Sequence, residues 1–157
     1  MASGLKFLNV IDVHSRLCLA IPVGRTCKAR DVMAVLRDLT SVYPAPAIIR
    51  SENGPEFISQ ALRNWCEASD TTSTAYNEPR SPQENGSAET FIGQFQNEFL
   101  HTKLFSATAL DAQILADRWP WEYNSLRPHS VPCPYPPSLI MYGSTKGIMS
   151  DRLRGMV

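Results

Sequence analysis

A change of hydrophobic period at Ala29 restricts the fold more than any other feature of the chain. Before it, two apolar, β-rich runs, Leu5 to Val13 (LKFLNVIDV) and Leu17 to Val23 (LCLAIPV), flank the turn-like His14-Ser15-Arg16. That pattern predicts an antiparallel hairpin. After it, Val32, Val35, Leu36 and Leu39 fall at i, i+3, i+4 and i+7, one face of a helix running to about Val42. Pro44 and Pro46 stop that helix, and Ala47-Ile48-Ile49 predicts a short buried strand ending at Arg50-Ser51-Glu52.

The alternation continues. Asn53-Gly54-Pro55 is turn chemistry, with Pro55 suited to opening a helix. Phe57, Ala61, Leu62, Trp65 and Cys66 mark a second amphipathic helix, Thr71 to Tyr76 a strand, and Asn77 to Gly86 a polar loop. Ala88, Phe91, Phe95 and Phe99 outline a third helix. A fourth is expected from about Ala107 through Leu110, Ile114 and Leu115 to Trp119, with Pro120 kinking or ending it. From Arg127 the chain carries five prolines between Pro128 and Pro137 and is expected to lie extended over the surface. A hairpin followed by alternating helices and strands predicts an α/β domain built on a mixed sheet.

At 157 residues the chain can bury roughly 70% of the surface its unfolded form exposes. No apolar run approaches the ~20 residues that cross a bilayer, and the start shows no secretion signal, so a cytoplasmic setting is expected. Cys18, Cys27, Cys66 and Cys133 are widely spaced, with no histidine at ligand spacing. They are expected to be buried thiols rather than a zinc site or disulfide framework. Fifteen basic residues balance fifteen acidic ones, so bulk charge gives no support for strong nucleic-acid binding, although a local basic patch remains open.

Two carboxylates stand out by position. Glu52 follows a buried strand where the chain leaves the sheet through a Gly-Pro turn, and ligands bind at that end of open α/β sheets. Glu89 opens a helix after a loop able to fold back across the same end. Such a pair can share a divalent cation, because Mg²⁺ and Mn²⁺ take oxygen ligands. The structural alternatives are a Glu favouring a helix dipole and a solvated turn residue, and composition alone leaves both open.

The neighbouring residues add a resemblance. Ile49-Arg50-Ser51-Glu52-Asn53-Gly54-Pro55-Glu56-Phe57 resembles the insertion-sequence transposase motif in which an Asp precedes Asn-Gly-Pro-Glu-Phe. Glu78 to Gly86 (EPRSPQENG), then Glu89 and Phe91, is similar to that family's loop and final catalytic Glu. Asn9-Val10-Ile11-Asp12 with Ser15-Arg16 is similar to its second strand, and Trp119, Tyr123-Asn124 and Arg127-Pro128-His129-Ser130 to its C-terminal block. The resemblance, to transposases related to retroviral integrases, implies a ribonuclease H-like catalytic core over 1–142 and a tail over 143–157. It also implies an Asp-Asp-Glu triad holding Mg²⁺ or Mn²⁺ that cuts and joins DNA strands at transposon ends. By position Glu52 takes the second Asp site and Glu89 the final Glu site, both as catalytic and metal-binding residues.

Three departures from the family pattern point to lost activity. The first catalytic Asp belongs to a strand preceding Leu5 to Val13, and the sequence as it stands does not contain it. Asp12 matches a different position. Glu52 adds a methylene where a catalytic group tolerates only ~0.5 Å of displacement. Gln94 and Gln96 stand where relatives carry basic residues, removing phosphate contacts. The missing strand is the central one in ribonuclease H-like sheets, so the chain must pair the two neighbours directly, borrow a strand or lose the fold. Self-association through residues 5–13, whose apolar run loses its sheet neighbour, is therefore expected. Three readings follow: an inactive catalytic-core fragment, a DNA- or subunit-binding module acting as an inhibitor, and a remnant without a role. Trp65, Trp119 and Trp121 are expected in the packing rather than as base-stacking platforms, and His129 as a structural residue.

Overall fold

A computed structural model describes residues 4–12, 15–46, 48–51, 56–68, 73–76, 89–100, 108–126 and 138–142, the backbone alone in 73–76 and 138–142. The predicted hairpin is present but broken into short pieces. Strands β1 (Lys6–Phe7) and β2 (Asn9–Asp12) face β4 (Val23–Gly24) and β3 (Cys18–Ala20) respectively, antiparallel in both cases. A register shift between Val10 and Ile11 bends the β2–β3 ladder, and Arg16 turns the chain with φ 60°. The Ser15 hydroxyl donates to Asp12 Oδ2 at 2.6 Å, closing the same turn.

Helix α1 (Ala29–Val42) follows as its period requires, with Val32 and Leu36 buried. The Lys28 amide donates to Asp31 Oδ2 at 2.8 Å at its start, satisfying one of the amides that a helix N-terminus leaves unpaired. Strand β5 (Ile48–Ser51) enters the sheet, and α2 (Gln60–Ala68) buries Leu62 and Cys66. This second helix opens at Gln60, not at Pro55. The Ser59 hydroxyl accepts from the Leu62 amide at 3.2 Å, the geometry of an N-cap. Strand β6 (Ser73–Tyr76) runs parallel to β5.

Helix α3, described over 89–100, carries the predicted phenylalanine stripe inward and ends in π-type hydrogen bonding over Phe95–Leu100. Helix α4 (Ala109–Leu126) departs from the sequence reading in part. It continues through Pro120 to Leu126 instead of ending there, and of its expected apolar face only Leu115 and Trp119 pack inward. Leu110 and Ile114 are 70% and 60% exposed, whereas Ala112, Ala116 and Trp119 are buried. Apolar residues occur all round this helix, so period alone could not select the inward side. Two polar side chains anchor it to the hairpin. Asn124 accepts from the Cys18 amide and donates to the Cys18 carbonyl, both at 2.9 Å, and Gln113 Oε1 accepts from the Val23 amide at 2.6 Å. Cys18 lies on an edge strand, so Asn124 covers groups that would otherwise invite another chain.

The sheet order is β3-β2-β7-β5-β6, and its centre is the main surprise. Strand β7 (Ser138–Tyr142) pairs antiparallel with β2 and parallel with β5. The tail was expected to lie extended on the surface; instead this part of it occupies the middle of the sheet. The local reason is visible in retrospect. Pro137 is the last residue unable to donate to a ladder, and Ser-Leu-Ile-Met-Tyr after it is an apolar five-residue run closed by Gly143. Neither β2 nor β5 is left with an unpaired side.

Helices cover both faces. Val32, Leu36, Leu62 and Cys66 pack with Leu8, Val10, Ile49 and Phe57 on one side. On the other, Phe91, Phe95, Phe99 and Trp119 pack with Phe7, Ile11, Cys18 and Ile21. Rings in this second core meet edge to face, as in Phe91–Trp119 at 5.4 Å and Phe7–Phe95 at 5.6 Å. Such pairs add about 0.5–1.5 kcal/mol each beyond area burial. The fold is thus the expected α/β class, a ribonuclease H-like mixed sheet flanked by helices, with the central position filled from late in the chain.

Candidate active site

The carboxyl ends of the parallel strands β5, β6 and β7 define one end of the sheet. Register places Ser51, Met141 and Tyr76 level with one another, and Asn9 level with Tyr142. Glu52 follows Ser51 directly and lies outside the described residues, as do His129 and the loop before Glu89. Glu89 is helical, in α3, and exposed. The two predicted site residues are therefore not seen together, and among the described residues no three His, Cys, Asp or Glu side chains form a metal-binding group.

The central strand bears on any metal at this end. Its five residues, Ser138 to Tyr142, include no carboxylate. A cation of the Mg²⁺ type depends on several charged oxygens, so the described residues at this end do not by themselves make a three-carboxylate site, and no chemical step is assigned to a metal. Asp12 does not fill the gap. It is level with Leu139 and Ile49, toward the other end of β5, and it holds the hairpin turn through Ser15.

Two residues at this end escaped the sequence reading. Asn9 is wholly buried, and neither its Oδ1 nor its Nδ2 finds a hydrogen-bond partner among the described residues. Its neighbours alternate, Phe7 and Ile11 packing in the α3–α4 core and Leu8 and Val10 in the α1–α2 core. Asn9 therefore belongs to the α3 face. A polar residue inside an apolar strand run was the available signal. Glu56, from the Asn-Gly-Pro-Glu-Phe motif, is also buried. It lies near Cys27, whose thiol is pushed up to about 11 by burial and by the neighbouring Glu56 and Asp31 carboxylates, against an opposing pull from Lys6.

The tryptophans divide. Trp119 is in the core and Trp65 packs against the α1–α2 core, as expected, but Trp121 is 66% exposed. Cys18 and Cys66 are buried free thiols and Cys27 is half-buried; Cys133 lies outside the described residues.

Comparison with known proteins agrees with the motif reading. Residues 2–82 and 71–131 each match an integrase core domain family. The chain is 31% identical over 137 residues to an insertion element IS476 uncharacterized 39.2 kDa protein of Xanthomonas euvesicatoria, covering 87% of this chain and 39% of that protein. It is 30% identical over 127 residues to an insertion element IS407 uncharacterized 31.7 kDa protein of Burkholderia multivorans, covering 81% of this chain and 45% of that protein. The chain thus spans less than half the length of these relatives. Among solved structures it is similar to the catalytic core domain of BIV integrase, with TM-score 0.48 and 18% identity over 73% of this chain and 82% of that one. It is also similar to a chain of the simian T-cell lymphotropic virus intasome in complex with PP2A regulatory subunit B56 gamma, with TM-score 0.49 and 16% identity over 82% and 51%. On the match over more than half of its length, the chain belongs to the integrase core domain family.

Proposed function

We propose that this chain is a partial transposase catalytic core, descended from a metal-dependent enzyme that cuts and joins DNA at transposon ends, and inactive in strand cleavage as it stands. The observation that carries this reading is the content of the central strand. Ser138 to Tyr142 sits between β2 and β5 and offers no carboxylate, which leaves Glu52 and Glu89 as two acids where the chemistry needs three. Two-metal phosphoryl transfer relies on ions held on both the attacking and the leaving oxygen. A site short of one anionic ligand holds those ions weakly.

The proposed partners are DNA and a second copy of the chain. Self-association has a surface in Leu110, Ile114 and Trp121 of α4, all exposed, and this favours a second reading as a non-catalytic, subunit-binding inhibitor. No described helix is long and apolar enough to cross a membrane.

Calorimetric titration with Mn²⁺ tests the catalytic reading. Binding should be no tighter than millimolar and should vanish in Glu89→Gln, with cleavage of transposon-end DNA at background. Reproducible cleavage that is lost in both Glu52→Gln and Glu89→Gln would show a working site and end the inactive reading.

A further inference from the structure

A concavity lies at the same end of the sheet. It has a volume of about 310 Å³ and sits between β1, β4 and the start of α1, with Lys6, Gly24, Arg25, Thr26, Cys27 and Arg30 on its walls. Three of these are cations, in a chain whose formal charge is zero. Lys6 is half-buried, and Arg25 and Arg30 are exposed. Neither Lys6 nor Arg25 makes an ion pair among the described residues. Asp31 is the one carboxylate among the described lining residues. It accepts from the Lys28 amide and lies 3.6 Å from Arg30 Nε, an exposed contact worth little in water. The Cys27 thiol stays neutral below about pH 11 and adds no negative charge.

Position gives the concavity its meaning. Strand β2 runs antiparallel to β7, and β7 parallel to β5. Residues before Asn9 therefore lie beyond the carboxyl ends of β5 and β7, where Ser51 leads to Glu52. Lys6 pairs with Gly24 in register there, and Cys27 feels Glu56 from the motif after β5. The loop is tightly wound: a Cβ on Gly24 would stand 2.9 Å from the Thr26 carbonyl oxygen, so glycine is what lets the backbone close in. Among the described residues no aromatic ring lines the space, so they offer no platform on which a base could stack.

We propose that this concavity is a phosphate-binding subsite for a DNA strand crossing the carboxyl end of the sheet, with Lys6, Arg25 and Arg30 contacting the backbone. The inference rests on the DNA reading above. It describes sequence-independent positioning, since phosphate contacts fix register without reading bases. It also supplies local positive charge that compensates for Gln94 and Gln96.

The test is the salt dependence of binding of the full chain to a fluorescent DNA duplex, followed by anisotropy. Each phosphate contact contributes about −0.9 to the slope of log affinity against log salt. Arg25→Gln with Arg30→Gln should flatten the slope by about 2 with the melting temperature unchanged, while Arg25→Lys should keep the wild-type slope. Arg118→Gln, on α4 and paired with Glu122 at 3.0 Å, is the control and should leave the slope alone. An unchanged slope in the double variant, or an equal loss in the control, overturns the subsite and leaves the DNA reading standing. If the wild-type chain binds no duplex at low salt, both fall together.

Discussion

The carboxamide of Asn9 is fully buried in β2, with neither of its polar atoms bonded among the described residues. Leaving a buried polar group unsatisfied costs about 1–3 kcal/mol, and Val fits a strand interior without that cost. Asn9→Val should therefore raise the unfolding free energy by an amount within that range, read as a higher urea midpoint with the slope unchanged. A lower midpoint would mean that the amide is bonded in solution and that its burial is functional. Cys18 is a residue-scale case of opposite sense. Burial pushes its thiol up to about 12, with only partial relief from a backbone hydrogen bond at Ala20. The unfolded chain loses this proton first, near the ordinary thiol value of 9.0, so the stability tied to the neutral thiol is complete below that pH and lost from there up to about pH 12. Urea midpoints measured across that interval should fall less steeply in Cys18→Ala than in the wild type. Equal slopes would show that the thiol titrates normally and is more accessible than its burial indicates.

Strand β7 decides the behaviour of the sheet at the scale of elements. Ile140 is level with Ile11 on one side and Arg50 on the other, so its substitution bears on both ladders at once. Proline removes a donor and is confined to edges and bulges. Ile140→Pro should abolish cooperative unfolding and release the amides of 9–12 and 48–51 to hydrogen exchange together. If the variant melts like the wild type, β7 does not occupy the centre in solution, and the explanation for inactivity goes with it. Helix α4 shows why element existence was easier to read than orientation. Its existence followed from its composition, but it runs past Pro120 to Leu126, and its buried side was chosen by Ala112 and Ala116, small enough for close approach, and by Gln113 and Asn124 reaching the hairpin backbone.

For the whole molecule, two observations bear on assembly. The unpaired-strand argument for self-association does not apply to this sheet, because β2 is paired with both β3 and β7. Exposed Leu110, Ile114 and Trp121 remain on α4, and apolar patches of this kind mark association sites. Sedimentation velocity at micromolar concentration should show concentration-dependent association that Ile114→Asp removes without altering the melting temperature. Association that survives Ile114→Asp would point back to strand exchange.

Local pattern determined much on its own. The period change at Ala29, the phenylalanine stripe of α3 and the α1 face each depend on residues a few positions apart, and periodicity records these directly. Glu52 and Glu89 stand as candidates in the same way, through the motifs around them. The partner of β2 and β5 was not, because any apolar strand of suitable length satisfies their backbone groups. Which segment does so depends on chain connections that no local pattern contains. The same holds for the cationic concavity, whose Lys6 and Arg25 are nineteen positions apart in the chain and meet only because β1 pairs with β4. Tertiary structure decided the centre of the sheet and the surroundings of the site, since both arise from contacts between segments that read as independent in sequence.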